Sequence, residues 1–311
     1  MNFSIVIPTY NRSSFLKRTL RKFASLSMTG SELVIVDNNS TDQTKAVISE
    51  FIKSNSDIDV MYYFQPLQGH VYAVNLGIKL ARFSKVILVD DDILISPSFL
   101  TEFEKAYTKF PNAAVIGGRI IAKNISGRNS MFEKVVRYED WVLGQLDLGE
   151  SSKVLKYPQS LFSGCLSINT AKFSGRSQIL NQKLGRKTAI GTIYAQDFEL
   201  CLRLHLQKKI IVYWPNITVE NIVDASRLSA YYVSKRLVLA GLERRTVDNV
   251  LKSHPQHQAH SIELGHVRSL ARETLKGNFH KVITYVVRET VFNFGYYFLG
   301  PIYLRSLIQK S

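Results

Sequence analysis

Three consecutive carboxylates, Asp90, Asp91 and Asp92, close an apolar run, Val86-Ile-Leu-Val89. Like charges on adjacent residues repel, which costs stability unless a cation neutralises them. Hard oxygen donors of this kind suit Mg²⁺ or Mn²⁺, which bind one or two carboxylates together with the phosphates of a substrate. The run before them is apolar at every position, as expected for a strand buried on both faces. Open α/β sheets place their ligand crevice at the C-terminal ends of such strands. For the three aspartates taken alone, a solvated acidic loop remains the alternative. The surrounding elements have to decide.

Those elements alternate. Phe3 to Ile7 reads as a strand ending at Pro8, and Phe15, Leu16, Leu20, Phe23 and Ala24 mark one face of a helix. Glu32 to Val36 is a second strand, followed by a helix that Ser40 or Thr41 would cap and whose inner face carries Val47, Ile48, Phe51 and Ile52. Val60 to Phe64 is a third strand, and a helix from Tyr72 to Ala81 leads back to Val86. Strands separated by helices give βαβ units and a mainly parallel sheet with right-handed crossovers. Beyond the carboxylates, Ser96-Pro97 is expected to open a helix as N-cap and first residue. Ala114 to Ile121 reads as a strand weakened by Gly117-Gly118, Ala195 to Leu206 as a helix, and Ile210 to Trp214 as a late strand ending before Pro215.

The chain has 311 residues and a net charge of +15, which calls for an anionic partner. Residues 226–311 hold 13 Lys and Arg against 5 Asp and Glu, whereas residues 1–225 hold 27 against 20, so the excess concentrates in the tail. That tail reads as a helix over Leu228 to Leu242, a polar loop from Lys252 to His260, and an apolar stretch from Val282 to Leu304. Arg288, Glu289, Asn293, Gly295 and Pro301 interrupt the last of these, so it does not read as a spanning helix. A packed hairpin and an interfacial helix both fit, and the basic charge favours contact with an anionic membrane surface. The opening residues read as a strand rather than a signal peptide. Two cysteines without metal-ligand spacing fit a reducing compartment. His254, His257 and His260 read as a solvated loop; neither lone His70 nor His205 reads as a metal ligand, and His205, within a helical pattern, reads as packed or partly exposed. Neither a Gly-x-Gly-x-x-Gly nor a Gly-x-x-x-x-Gly-Lys motif occurs, which argues against a Rossmann dehydrogenase and a P-loop enzyme.

Several segments taken in order resemble the family 2 glycosyltransferases of GT-A fold. They are Ser4-Ile-Val-Ile-Pro-Thr-Tyr-Asn-Arg12, Leu33-Val-Ile-Val-Asp-Asn-Asn-Ser-Thr-Asp42, Gln68-Gly-His-Val-Tyr-Ala-Val-Asn75, Asp90-Asp-Asp92, Gly117-Gly-Arg119, Leu146-Asp-Leu-Gly149, Gly164-Cys-Leu and Gln196-Asp-Phe-Glu-Leu-Cys-Leu-Arg203. The likeness ends near Arg227-Leu-Ser-Ala-Tyr-Tyr, so it covers about residues 3 to 240. It implies a GT-A domain over 1–225, with a nucleotide-sugar half at about 1–120 and an acceptor half at about 121–225. A basic helical extension, 226–311, would follow. The implied activity is inverting, metal-dependent transfer of a sugar from a UDP- or dTDP-linked donor to a saccharide or lipid-linked acceptor in cell-surface glycan synthesis. The implied cofactor is Mn²⁺ or Mg²⁺, and the implied setting is the cytoplasm or the cytoplasmic face of a membrane, with no nucleic acid involved.

The resemblance also implies roles. Pro8, Tyr10, Asn11, Arg12, Asn39, Asn75, Asp90 and Asp91 would border the nucleotide-sugar, and Asp37 would accept from its base. Asp92, with Asp90, would hold the metal. Asp197 would be the general base, and Gly164 and Gln196 would lie on the acceptor side. Plainer readings stand beside these: Asp37 as a helix cap, Asp197 as a favourable charge at a helix N-terminus, Glu199 and Arg203 as an i,i+4 pair, Asn75 as a buried structural amide, and Gly164 as a turn residue. Three departures from the family's pattern bear on function. Gln196-Asp197 stands where two acids are common, Ala73-Val74-Asn75 stands for Ala-Arg-Asn, and Val219-Glu220-Asn221 stands for Val-x-His. They motivate an alternative, a catalytically inactive GT-A protein that binds membrane surfaces.

Overall fold

The computed structural model describes residues 1–124, 140–176, 179–182, 184 and 195–252. The chain divides into two compact units, residues 1–185 with 196–228, and 186–195 with 229–311. The polar loop, the apolar stretch and the three histidines expected in the tail lie outside the described residues.

The first unit runs β1 (Ser4–Thr9), α1 (Ser13–Ala24), β2 (Glu32–Asp37), α2 (Thr44–Ser54), β3 (Asp59–Phe64), α3 (His70–Leu80), β4 (Lys85–Leu88), β5 (Ile93–Ile95), α4 (Phe99–Lys109), β6 (Ala113–Asn124), β7 (Lys153–Val154), β8 (Leu166–Asn169), α5 (Gln196–Leu206) and β9 (Ile210–Val223). The strands form one sheet in the order β3-β2-β1-β4-β8-β6-β9-β5, with β7 also beside β9. The half built from β3, β2, β1 and β4 is parallel. Beyond it β8 enters antiparallel between β4 and β6, and β9 pairs parallel with β6, so the sheet as a whole is mixed and flanked by helices.

Side chains alternate across the parallel half with the period of two that strands impose. Ile5, Ile7, Leu33, Ile35, Ile87 and Val89 join Leu16, Leu20 and Phe23 of α1, Ile48 and Phe51 of α2, and Phe99 and Phe103 of α4 on one face. Val6, Val34, Val36, Val86 and Leu88 join Val71, Val74 and Ile78 of α3 and Leu200, Cys201 and Leu204 of α5 on the other. Burial on both faces is why these strands carry no polar alternation. α3 lies close to the sheet because Gly77 faces it: a Cβ there would lie 2.3 Å from Val6 Cγ1.

Three local expectations are corrected. The helix after the carboxylates has Ser98 at its N-cap and begins at Phe99, not at Ser96-Pro97, because Ile93–Ile95 first pairs with β9 as a strand. Asp42, rather than Ser40 or Thr41, serves the start of α2, accepting from Thr44 N at 3.0 Å. The late strand does not stop before Pro215 but continues to Val223. Its register with β6 shifts between Gly117, opposite Tyr213, and Arg119, opposite Thr218. Pro215 therefore lies in a bulged stretch where no ladder hydrogen bond is asked of it. Gly118 serves the same bulge, since a Cβ there would lie 2.0 Å from Ile217 O.

In the second unit, α6 (Ala230–Leu251) extends the helix expected over Leu228 to Leu242 by nine residues at its C-terminal end. Ser229 caps it, accepting from Tyr232 N at 3.1 Å, and Arg236–Glu243 and Arg244–Asp248 pairs brace it. Among the described residues no helix is long and apolar enough to cross a membrane.

Candidate active site

β1, β2 and β4 end together, so parallel register gathers the loops that follow them. β1 delivers Thr9 and Arg12, β2 delivers Asp37, and β4 delivers the three carboxylates. Each of the three has a different environment. Asp91 turns inward: its Oδ2 accepts from Thr9 Oγ1 at 2.7 Å, and its Oδ1 lies 3.2 Å from an Arg12 nitrogen. Burial pushes its carboxyl up to about 7, against the pull of Arg12 and with Asp92 and Asp90 adding to the rise. Thr19, inside α1, donates to the backbone carbonyls of Asp91 and Ile93 and so pins the turn. Asp92 is 3% exposed. Its Oδ2 accepts from Arg12 at 2.7 Å and from Arg227 at 3.1 Å. Arg12 also stacks on Phe15 with its guanidinium 4.6 Å from the ring centre. Burial works against its charge, but Asp91 and Asp92 outweigh that and raise its pKa.

Asp90 is the open member, its side chain 40% exposed. Its Oδ1 lies 3.6 Å from His70 Nε2. Burial alone would raise its pKa, but the contact and charge of His70, followed by Arg12 and Arg227, bring it below the ordinary value. Gly164 lies against it, and a Cβ there would sit 3.2 Å from Asp90 Oδ2.

His70 is one of the residues that the sequence alone does not single out, with Thr9, Ser163 and Arg227. As a lone histidine it gives no metal-ligand pattern, yet it joins the carboxylate strand to α5. Its Nδ1 lies 3.3 Å from Gln196 Nε2 while its Nε2 faces Asp90. Burial pulls its pKa down, but Asp90, Asp197 and Asp91 together carry it above the ordinary value. It follows Gly69, whose φ of 145° opens α3 in a conformation that suits glycine. On the first turn of α5, Asp197 accepts from Ser163 N through Oδ2 at 2.8 Å. Its Oδ1 and the Oε1 of Gln196 are buried without a hydrogen-bond partner. Burial raises the pKa of Asp197, opposed in part by the Ser163 N–H and the charge of His70. Glu199 and Arg203 form the i,i+4 pair expected of them, at 2.8 Å.

The remaining nucleotide-side residues separate into two groups. Tyr10 and Asn39 are exposed at the ends of β1 and β2. Asp37 is buried, with Oδ1 accepting from Ser40 N at 2.9 Å and Oδ2 from Tyr62 Oη at 3.3 Å. The others work on the backbone. Pro8 lies within β1 opposite Val36. Asn11, in the left-handed region at φ 50°, ties two loops together by accepting from Thr41 N at 2.7 Å. Asn75 points away from this group: its amide donates to Leu180 O at 2.8 Å and accepts from Leu180 N at 3.0 Å. The plainer reading of Asn75, a buried structural amide, is the one its contacts fit. Asn221 likewise donates to Leu143 O at 2.7 Å.

These oxygens fit a hard divalent cation. Asp90 is open, Gly164 leaves room beside it, and Asp92 Oδ2 already gathers two cationic groups. Among the described residues, no three of His, Cys, Asp and Glu form a preformed metal cluster.

Comparison with known proteins gives the family and the fold. The model of the family described as Glycosyl transferase family 2 matches residues 4–176. A GalNAc(5)-diNAcBac-PP-undecaprenol beta-1,3-glucosyltransferase of Campylobacter jejuni is 27% identical over 160 residues, which are 49% of this chain and 51% of that one. A dolichyl N-acetyl-alpha-D-glucosaminyl phosphate glucuronosyltransferase of Methanococcus voltae is 31% identical over 135 residues, 40% and 42% of the two chains. The matched region thus spans about half the length of these relatives. Among solved structures, the mannosyltransferase PcManGT of Pyrobaculum calidifontis, in complex with GDP-Man and Mn²⁺, superposes with a TM-score of 0.58 at 13% identity. That match covers 94% of this chain and 85% of the other. TarS of S. aureus gives 0.54 at 17% identity, covering 84% and 41%.

Proposed function

The chain belongs to glycosyl transferase family 2, and we propose that it transfers a sugar from a UDP- or dTDP-linked donor to a hydroxyl of a saccharide or lipid-linked acceptor, with inversion at the anomeric carbon. The observation that carries the mechanism is the state of Asp197. One of its oxygens is fixed by the Ser163 N–H, and the other is buried without a partner. A raised pKa makes it a stronger base than an ordinary aspartate, since proton transfer improves as the base's pKa approaches the working pH. In the step it serves, the acceptor oxygen forms a bond to the anomeric carbon as the bond from that carbon to the donor phosphate breaks. The electron pair of that bond leaves with the diphosphate, and Asp197 Oδ1 takes the hydroxyl proton. One displacement of this kind inverts the centre.

On the donor side, Asp37 presents acceptor oxygens to the base, which suits the N3–H of uracil or thymine, and Tyr10 and Asn39 border it. Asp90 and Asp92 would hold Mn²⁺ or Mg²⁺, which supplies countercharge for the departing diphosphate. His70 lies between Asp90 and Gln196, next to Asp197, and so links the donor carboxylates to the helix that carries the base. Gly164 leaves the space beside Asp90 open for the sugar. Residues 1–225 would carry this chemistry, with the basic extension 226–311 placing it at the cytoplasmic face of a membrane near lipid-linked acceptors.

Calorimetric titration with UDP, dTDP and GDP, with and without Mn²⁺, tests the donor side. Tight binding of UDP or dTDP that requires the metal is expected, and no binding of any of the three overturns the reading in favour of a non-catalytic surface-binding protein. Asp197→Asn should leave nucleotide affinity unchanged and lower transfer by about 10²–10⁴-fold. Undiminished transfer would move the base elsewhere.

A further inference from the structure

The three carboxylates are each matched by a cation that the chain itself supplies. Asp90 faces His70, Asp91 faces Arg12, and Asp92 faces both Arg12 and Arg227. Two guanidinium nitrogens thus converge on a single oxygen, Asp92 Oδ2, at 2.7 and 3.1 Å. The two arginines are not held alike. Arg12 has a second carboxylate in Asp91, a ring contact with Phe15, and a place at the N-cap of α1. Arg227 sits on a four-residue 3-10 turn, Ala225–Leu228, just beyond β9; its ion pair among the described residues is with Asp92, and its charge also reaches Asp90 and Asp224.

We propose that Arg227 is the resident counter-ion of Asp92 and that a divalent cation competes with it for the same oxygen, so that loading the metal releases the Arg227 guanidinium toward the donor phosphates. Mn²⁺ and Mg²⁺ bind carboxylate oxygens far more closely than a guanidinium does, with Mg²⁺ at about 2.0–2.1 Å. An ion at Asp92 Oδ2 would then lie within a few ångströms of the Arg227 nitrogen, and like charges that close exclude one another. Arg12 keeps its Asp91 contact and its ring contact when the exchange occurs, so Arg227 is the partner that yields. The freed guanidinium is a planar fork suited to two phosphate oxygens, and it is already beside the carboxylates that face the diphosphate. Arg227 is therefore a positioning residue that passes its charge from protein to substrate. The cation exchange stands on the ion pairs alone, whereas the phosphate destination rests on the donor-site reading above.

The test is a nucleotide-free Mn²⁺ titration of the full chain, followed by electron paramagnetic resonance of the free ion. Arg227→Gln should bind Mn²⁺ about tenfold more tightly than the unaltered chain, because a positive charge near the ion has gone. Arg227→Lys, which keeps the charge, should stay close to the unaltered chain. In an Asp92→Asn background the gain should vanish. Equal Mn²⁺ affinity for Arg227→Gln and the unaltered chain overturns the exchange, and so does a gain that survives Asp92→Asn. With Mn²⁺ saturating, Arg227→Gln should bind UDP about tenfold more weakly. If the unaltered chain binds no UDP while Arg227→Gln still gains Mn²⁺ affinity, the donor reading falls and the exchange stands. Should the variant not fold, phenylglyoxal labelling of Arg227 in the unaltered chain decides. Saturating Mn²⁺ should accelerate labelling relative to EDTA, and an unchanged rate refutes the exchange.

Discussion

Asn75→Ala is expected to weaken the fold and leave nucleotide affinity intact. Asn75 is a buried residue of α3, and its amide makes two hydrogen bonds to the backbone of Leu180, one through each end, at 2.8 and 3.0 Å. Truncation strands both the N–H and the C=O of Leu180. Each buried group left unsatisfied costs about 1–3 kcal/mol. Alanine returns part of this, roughly 0.6 kcal/mol, because asparagine is the poorer helix former. The net loss is therefore roughly 1.4–5.4 kcal/mol, a large share of the roughly 5–15 kcal/mol that stabilises a typical domain. Asn75→Asp should cost at least as much, since it deletes the donor to Leu180 O and buries a charge. Urea denaturation gives the stability, and calorimetry with UDP and Mn²⁺ on the folded variant gives the affinity. If Asn75→Ala stayed within about 0.5 kcal/mol of the unaltered chain while UDP affinity fell tenfold, the structural assignment would be refuted and the residue would belong to the donor site.

Two further outcomes follow from charge. Asp42 is exposed, yet its carboxyl is held down to about 2. Burial is the largest single influence and would raise it, but the hydrogen bonds from Thr44 and Ser13 together outweigh it. A depressed carboxyl stabilises above its unfolded value and loses that contribution as pH falls toward the folded value. Asp42→Asn should thus lower the melting temperature at pH 6 and leave it unchanged near pH 2; an equal drop at both would show that the cap acts without its charge. The basic extension should bring the chain down with sedimenting anionic vesicles, and the bound fraction should fall as salt rises, since each Lys or Arg near such a surface contributes about 1 kcal/mol. Equal recovery in the soluble fraction with and without residues 226–311 would argue against that role.

The parallel half of the sheet was legible because β1, β2 and β4 are buried on both faces, β3 is a short edge strand of β-forming residues, and the helices have one apolar face each. These patterns are local, and each can be read from a window of a few residues. The mixed half was not. β8 is four residues long, and its place between β4 and β6 depends on pairing with segments some 50 and 80 residues away. β9 read as shorter than it is because Pro215 normally stops a strand. The bulge that tolerates it depends on Gly118 in a different strand.

The site divides along the same line. Asp90, Asp91, Asp92 and Asp197 could be singled out because a run of like charges, or an acid at a helix start, is a local anomaly that calls for a partner. The partners themselves were invisible. Thr9, His70, Ser163 and Arg227 are unremarkable where they stand, and each matters through a residue 20 to 135 positions away. His70 illustrates the physics. A single histidine on the first turn of a helix carries no chemical pattern, and dismissing it was sound from its neighbours alone. Its meaning comes from parallel register, which brings the end of β4 beside the start of α3, and from α5 packing on the same face of the sheet. Sequence periodicity can show that those three elements exist and are amphipathic, but it cannot show which ends meet. Asn75 runs in the other direction: its place in a recognisable segment suggests a ligand, while its contact, 105 residues away, is of the kind a structural tie makes. Chemistry that a carboxylate must do is thus readable from its own oddity, whereas the groups that tune it are read only from the fold.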